Sequence, residues 1–414
     1  MRAGRPERKK WSFDLMKKIT VFIILTAMCL GSLCACSEKK PEGKDAFSSP
    51  TVISELLCAY AESVSKNALK PSVSSTAEDD AEYTYMTEDG AQTAHTKLTS
   101  SYNAATGAWS VSAKDHTAVF SNGLSVNGQT VRSIADKKAL QKAVDVFIKA
   151  FAEATDDSDY ETAPDSIRAA EDDVETDRVT LKLERDKYLP AFSKALTAVK
   201  NDAEAKRYIT DVLGFYGLLH DREESADQLF DKVMESLENA VKDSTGQLVW
   251  QRYIYNGKAV AARLKFTDNV IRYICAQTES YTELEFSATV GGKEITAAYE
   301  ARRTGMSDTY NIRISNGDEI TYFDGTAESA YKSGNIGFEL RATKNAKVVN
   351  GCKLDLSFNG EKKLTYKGSG NFTVKGDKKT FSFELVFNDT ENVEIPPAQS
   401  GETGLYEATE RIFK

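Results

Sequence analysis

Histidine is almost missing from this 414-residue chain: His95, His116 and His220 are the whole supply, and no two lie within one helical turn. Metal centres and acid–base sites need clustered ligands, and no His-Glu-x-x-His spacing occurs, so each histidine is expected as a surface or half-buried residue. Cysteine is scarce too, with six residues and no Cys-x-x-Cys pair. Basic charge is in deficit, 53 Lys+Arg against 62 Asp+Glu. That balance argues against nucleic acid and against electrostatic docking on anionic lipid, since both need clustered Lys and Arg. Long apolar runs are limited to one, Ile19 to Leu33, and its fifteen residues fall short of the ~20 that span a bilayer.

That single run organises the chain. Lys17 and Lys18 precede it, and the sequence turns polar at Ser37-Glu38-Lys39-Lys40 directly after it. A positive segment, a short apolar core and a small residue before the cut make a secretory signal. Residues 1–15 are long and basic for such a segment, and Met16-Lys17-Lys18 reads as the start. Leu33-Cys34-Ala35-Cys36 resembles the lipobox of bacterial lipoproteins, Leu-x-(Ala/Gly/Ser)-Cys. The resemblance implies that Leu33 and Ala35 guide the signal peptidase. It also implies that Cys36 carries a diacylglyceryl group and becomes the new N-terminus. Cys34 stands where Ala, Ser or Thr is commoner. The expected location is the extracytoplasmic face of the cell membrane.

Removing residues 1–35 takes away seven Lys+Arg and two Asp+Glu, leaving 46 basic and 60 acidic residues and a formal charge of −14. Beyond Cys36, three cysteines remain: Cys58, Cys275 and Cys352. Three thiols allow one bridge at most, so they read as free thiols, with a Cys275–Cys352 bridge as the alternative.

Residues 36–48 read as a charged tether. A single α+β domain is expected over 49–397, with a subdivision near 185, followed by a tail at 398–414. Ser49 and Pro50 look like the cap and first turn of a helix carrying Val52, Ile53, Leu56, Leu57, Tyr60 and Val64. Residues 71–82 read as an acidic loop. Short β-runs follow, His95–Tyr102, Trp109–Ala113 and Thr117–Phe120, between turn signals such as Asn127-Gly128. Asp136 caps a helix bearing Leu140, Val144, Phe147, Ile148 and Phe151, which runs into the acidic stretch 153–177. After the strand Val179–Leu183 come three helices, over 188–200, 202–219 and from Ser225. Gln247 to Ile395 then reads as a meander with hairpin signals at Asn256-Gly257, Gly291-Gly292, Asn316-Gly317, Asp324-Gly325, Asn359-Gly360 and Gly376-Asp377.

Alternation in the meander assigns faces. Phe338, Leu340, Leu354, Leu356, Phe358, Phe381, Phe383, Leu385 and Phe387 are the candidate apolar interior, with Lys353, Ser382 and Glu384 outside. One continuous interior shared with the helices at 136–155 and 225–243 is expected, with about five helices on the apolar face of a large antiparallel sheet. This layout resembles the half-barrel lipoprotein carriers and lipid-binding lipoproteins, and large lipoproteins of similar build. The resemblance implies a curved sheet wrapped on helices around a cavity for acyl chains.

Catalytic patterns come close and miss. Gly123-Leu124-Ser125-Val126-Asn127 lacks the strand-to-helix turn of a nucleophile elbow. Ser63-Val64-Ser65-Lys66 and Lys332-Ser333-Gly334 lack the motif that should stand between them. Gly368-Ser369-Gly370 precedes no helix that could hold a phosphate, and a close backbone approach in a strand fits it better. Calcium-loop frames from Asp156 or Asp157 put the wrong residues at positions six and twelve. The expected function is therefore non-enzymatic and needs no cofactor: binding or carrying a lipid or other apolar ligand, with a structural or protein-interaction module as the alternative.

Overall fold

Turn residues recur every ten to fifteen positions over most of the chain, and the computed structural model answers with a run of hairpins. It describes residues 42–48, 59–87, 90–114, 116–121, 123–134, 136–169, 172–266, 270–277, 280–290, 293–391, 393–395 and 401–408. The lipobox residues Leu33, Ala35 and Cys36, the cap at Ser49-Pro50, Cys58 and Gly291-Gly292 lie outside these.

Six α-helices are delimited among the described residues, and residues 405–408 are helical as well. They are α1 (Gly43–Phe47), α2 (Ala59–Asn67), α3 (Lys137–Ala152), α4 (Arg185–Asn201), α5 (Ala203–Leu219) and α6 (Ala226–Asp243). The strands begin with β1 (Ser75–Thr87), β2 (Gly90–Asn103), β3 (Ala108–Ala113), β4 (His116–Phe120), β5 (Leu124–Val126), β6 (Gln129–Arg132) and β7 (Tyr160–Ala169). Next come β8 (Asp172–Leu183), β9 (Leu248–Tyr255), β10 (Lys258–Lys265), β11 (Val270–Gln277), β12 (Tyr281–Val290), β13 (Lys293–Arg303) and β14 (Ser307–Asn316). The last are β15 (Glu319–Ala330), β16 (Ser333–Lys344), β17 (Lys347–Asn359), β18 (Thr365–Val374), β19 (Asp377–Val386), β20 (Asn388–Asp389) and β21 (Glu402–Gly404).

All 21 strands belong to one open sheet, which fits the α+β class. In space it runs from β7 through β8 and straight along the meander to β19. There it meets the first strand: Tyr83 pairs with Phe381 and Glu82 with Ser382. The order continues from β1 to β6 and ends at β21, the one parallel pairing.

Two acidic stretches expected as loops are strands. Residues 75–87 form β1, and Tyr160–Ala169 with Asp172–Leu183, of which only Val179–Leu183 is expected as a strand, form the β7–β8 hairpin, where Arg178 holds Asp165 at 2.5 Å. Solvated charges alternate there with buried residues such as Ala77, Ala81, Ile167 and Val179, and that alternation is enough for a strand. Asp324-Gly325 is no turn, because it lies inside β15 with the Tyr60 ring over Gly325. The tether expectation needs correction over Gly43–Phe47, which fold as α1 with Ala46 and Phe47 buried. The tail expectation needs the same, since β21 packs Thr403 at 2% exposure and Tyr406 lies 2.6 Å from where a Cβ on Gly214 would stand.

Helices α3 to α6 form where their apolar stripes and caps say they should. Asp136 accepts from the amides of Lys138 and Ala139, and Ser225 with Gln228 completes a capping box. The buried residues gather into two cores. The larger joins α1, the first turn of α2 and α3–α6 to strands β8–β14, around Trp250, Phe147, Phe151, Phe192 and Tyr310. The smaller holds Ala77, Ile336, Phe358, Tyr366, Leu385 and Phe387, with Val64 and Leu69 from α2 and its exit packed on it. The expected single interior is thus two. The long helices cover one part of the sheet, while α2 lies across the border, with Ala59 and Tyr60 on the larger core and Val64 on the smaller.

Candidate functional site

Cross-strand register builds the most distinctive surface. Gly368 faces Phe383 and Gly370 faces Phe381 across the β18–β19 hairpin. A Cβ on either glycine would collide with the opposing ring, so the aromatic side chains lie flat across bare backbone. Gly334 under Phe358 and Gly325 beneath Tyr60 repeat the arrangement. These glycines serve close packing in a sheet, which accounts for Gly368-Ser369-Gly370.

On that face the candidate interior residues divide. Phe358, Leu385 and Phe387 are buried in the smaller core, and Leu356 and Phe383 pack against it. Phe338, Leu340, Leu354 and Phe381 belong to neither core and stay half-buried. Phe338 stacks on Phe323 at 6.5 Å, and Phe381 stacks on Phe372 at 5.9 Å. With half-buried Phe372 and Tyr83 they make a continuous apolar stripe over β16, β17, β18, β19 and β1. Lys353, Ser382 and Glu384 stand on the opposite face, with Ser382 and Glu384 exposed.

Phe372 and Tyr83 were not singled out from the sequence. Yet Gly-x-Gly and Phe-x-Phe stand symmetrically about the Lys375-Gly376 turn, and this spacing signals which side chains cover which backbone.

The opposite face carries an open cleft of about 690 Å³. Asp355, Ser369, Ser382, Glu82 and His95 follow one another across it in register. Lys367 reaches Glu384 at 3.2 Å, and His95 lies 3.5 Å from Asp80. Among the described residues no group of three His, Cys, Asp or Glu could hold a metal ion.

A deeply buried charge cluster lies where α5 ends on the sheet. Arg222 donates to both Glu319 carboxylate oxygens at 2.9 and 2.7 Å, and Lys344 donates at 2.9 Å. The Tyr216 ring lies 4.4 Å from that of His220, whose Nε2 is 2.9 Å from Thr321 Oγ1. Burial above all, opposed by the Glu319 charge and helped by those of Arg222 and Lys344, brings the His220 pKa down to about 4. Burial alone would raise Glu319, but the Lys344 hydrogen bond and the charges of Arg222, Lys344 and His220 hold it below the usual carboxylate range. Nothing in the sequence pattern signals this cluster, because Glu319 merely follows a turn.

The remaining motif residues do not converge. Ser63 is buried and donates to Asp308 at 2.6 Å, and Ser125 is buried in β5. His116 contacts Asn127 at 3.2 Å. Cys275 and Cys352 are free thiols, and burial raises Cys275 to about 12. No described helix is long and apolar enough to cross a membrane. The chain matches no known protein family and no curated protein.

Proposed function

We propose that the chain is a lipoprotein that binds an apolar ligand. A diacylglyceryl group on Cys36 holds it on the extracytoplasmic face of the membrane, and the ligand lies along the inner face of a half-barrel sheet. The observation that carries this reading is the stripe of Phe338, Leu340, Leu354, Phe372, Phe381 and Tyr83, half-buried between two cores that bury their own aromatics. Contiguous exposed apolar surface on a sheet face marks a place for a partner or ligand. Curvature is compatible with this reading, since neighbouring strands twist by about 20–25° and curling is one way a wide twisted sheet is accommodated. Binding of this kind calls for no cofactor and no catalytic residue.

Anchoring is supported by Leu33, Ala35 and Cys36 in lipobox register. Cys36→Ser is expected to leave an unprocessed precursor that takes up no labelled fatty acid. Labelling that persists, or that moves to Cys34, would overturn the assignment.

Native mass spectrometry of the full chain released from detergent is expected to show a retained apolar molecule. Phe381→Ala should reduce its occupancy several-fold while costing little stability, because Phe381 is only half-buried. A ligand-free wild-type chain, or occupancy indifferent to Phe381, would defeat the ligand reading. The second reading is a protein-interaction module, and the polar cleft over Asp355, Ser369 and Glu82 is what favours it.

A further inference from the structure

The aromatic stripe has one charged end. Tyr83 and Tyr85 stack with ring centroids 5.9 Å apart, and Lys114 Nζ sits 5.3 Å from the centre of the Tyr83 ring. Lys379 shares this face, being the direct cross-strand partner of Phe372 and two residues from Phe381, which itself pairs with Tyr83. Both lysines are exposed. Among the described residues, neither has a carboxylate in ion-pair contact. Lys375 in the adjoining turn is 3.4 Å from Asp221, which follows α5, and Asp377 opens β19. The opposite end of the stripe, at Phe338 and Phe323, runs into the packed rings of Tyr60 and Tyr310.

We propose that this end receives the head of an anionic amphiphile: a long-chain fatty acid lies along the stripe with its carboxylate between Lys114 and Lys379. The proposal rests on the apolar-ligand reading above and adds the charge of the head group. Its physical basis is complementarity. From Phe338 on β16 to Tyr83 on β1 the stripe crosses four strand spacings, about 19 Å, the reach of a single extended acyl chain. A neutral chain laid over the stripe would crowd two ammonium groups and give them nothing in return for lost water. A carboxylate supplies the charge-assisted hydrogen bonds both need. The chain as a whole carries a net charge of −9, yet at this end of the strip two lysines stand without an ion-pair partner among the described residues.

The test uses membrane vesicles carrying the full chain and two photoreactive probes of equal chain length, a fatty acid and a fatty alcohol. Adducts are mapped by mass spectrometry to peptides holding residues 338–354 and 372–381. The acid is expected to label these peptides about three- to tenfold more than the alcohol at neutral pH, the range for two exposed ion pairs. Lys114→Gln with Lys379→Gln should abolish that preference and leave alcohol labelling and the unfolding midpoint unchanged. Equal labelling by the two probes, or a preference surviving the double substitution, would overturn the role of the lysines while leaving the ligand face in place. Labelling by neither probe would remove the ligand face and the proposal with it.

Discussion

Phe47→Ala is expected to lower unfolding stability by about 3–5 kcal/mol, the usual cost of truncating a fully packed aromatic. Phe47 is 0% exposed and meets Trp250 and Tyr160 edge-on at 4.9 and 5.2 Å. Its carbonyl accepts from Arg252, a guanidinium that is itself 0% exposed. Losing the ring would therefore loosen the contact that keeps a buried cation satisfied. Gly43 N, donating to Thr162 Oγ1 at 3.0 Å, and Lys44 Nζ, donating to the Thr155 carbonyl at 2.9 Å, complete the clamp of α1 on the β7–β8 end. Urea titration is the measurement. Tyr331→Ala, at a residue 92% exposed, serves as control and should shift stability by less than about 0.5 kcal/mol. A loss at Phe47 no larger than the control would mean that α1 is dispensable to the fold.

Glu319→Ala should be as damaging, about 3–5 kcal/mol, because it strands Arg222 beside a carboxylate that no longer exists. The side chains of Glu319 and Arg222 are 2% and 11% exposed, so water offers little relief. The same cluster sets a pH dependence. His220 titrates near 4 folded and near 6.5 unfolded, so its contribution is complete above about 6.5 and lost as pH falls towards 4. Glu319 is held low as well, and its contribution disappears as the medium becomes more acidic than the free carboxylate. Stability measured from pH 7 to 4 should fall by about 2–3 kcal/mol more in the wild type than in His220→Gln. Parallel curves for the two proteins would show that the buried imidazole does not drive the decline.

Local chemistry made the helices and most hairpins legible in advance. Asp136 and Ser225 announce their helices by capping, and Asn256-Gly257 and Asn316-Gly317 sit in turns with positive φ. Strand faces were legible from period-two alternation, as Ser382 and Glu384 outward between Phe381, Phe383 and Leu385 illustrate. Charge misled the reading of β1, where Glu78, Asp80 and Glu82 on the solvated face outnumber Ala77 and Ala81 on the other, and of the acidic part of the β7–β8 hairpin. Pairing over long distance was not legible. No local pattern places Tyr83 beside Phe381, and the division into two cores follows from that junction. The buried cluster around Glu319 was hidden for the same reason, since its members come from the end of α5 and the turn after it, β15 and β16, and meet only in three dimensions.

The junction of β1 with β19 also bears on the timetable of assembly. Chains emerge from the ribosome N-terminus first, so β1 and its hairpin partner β2 exist long before Phe381 and Ser382 are made. For nearly the whole of synthesis one border of β1 stands bare, a row of open amides and carbonyls able to recruit a neighbouring molecule. A seam in the middle of the finished sheet is thus among the late ones to close, and a pairing this remote in sequence closes slowly. A chaperone that shelters residues 75–87 during that wait would raise the yield of folded protein without touching the finished molecule.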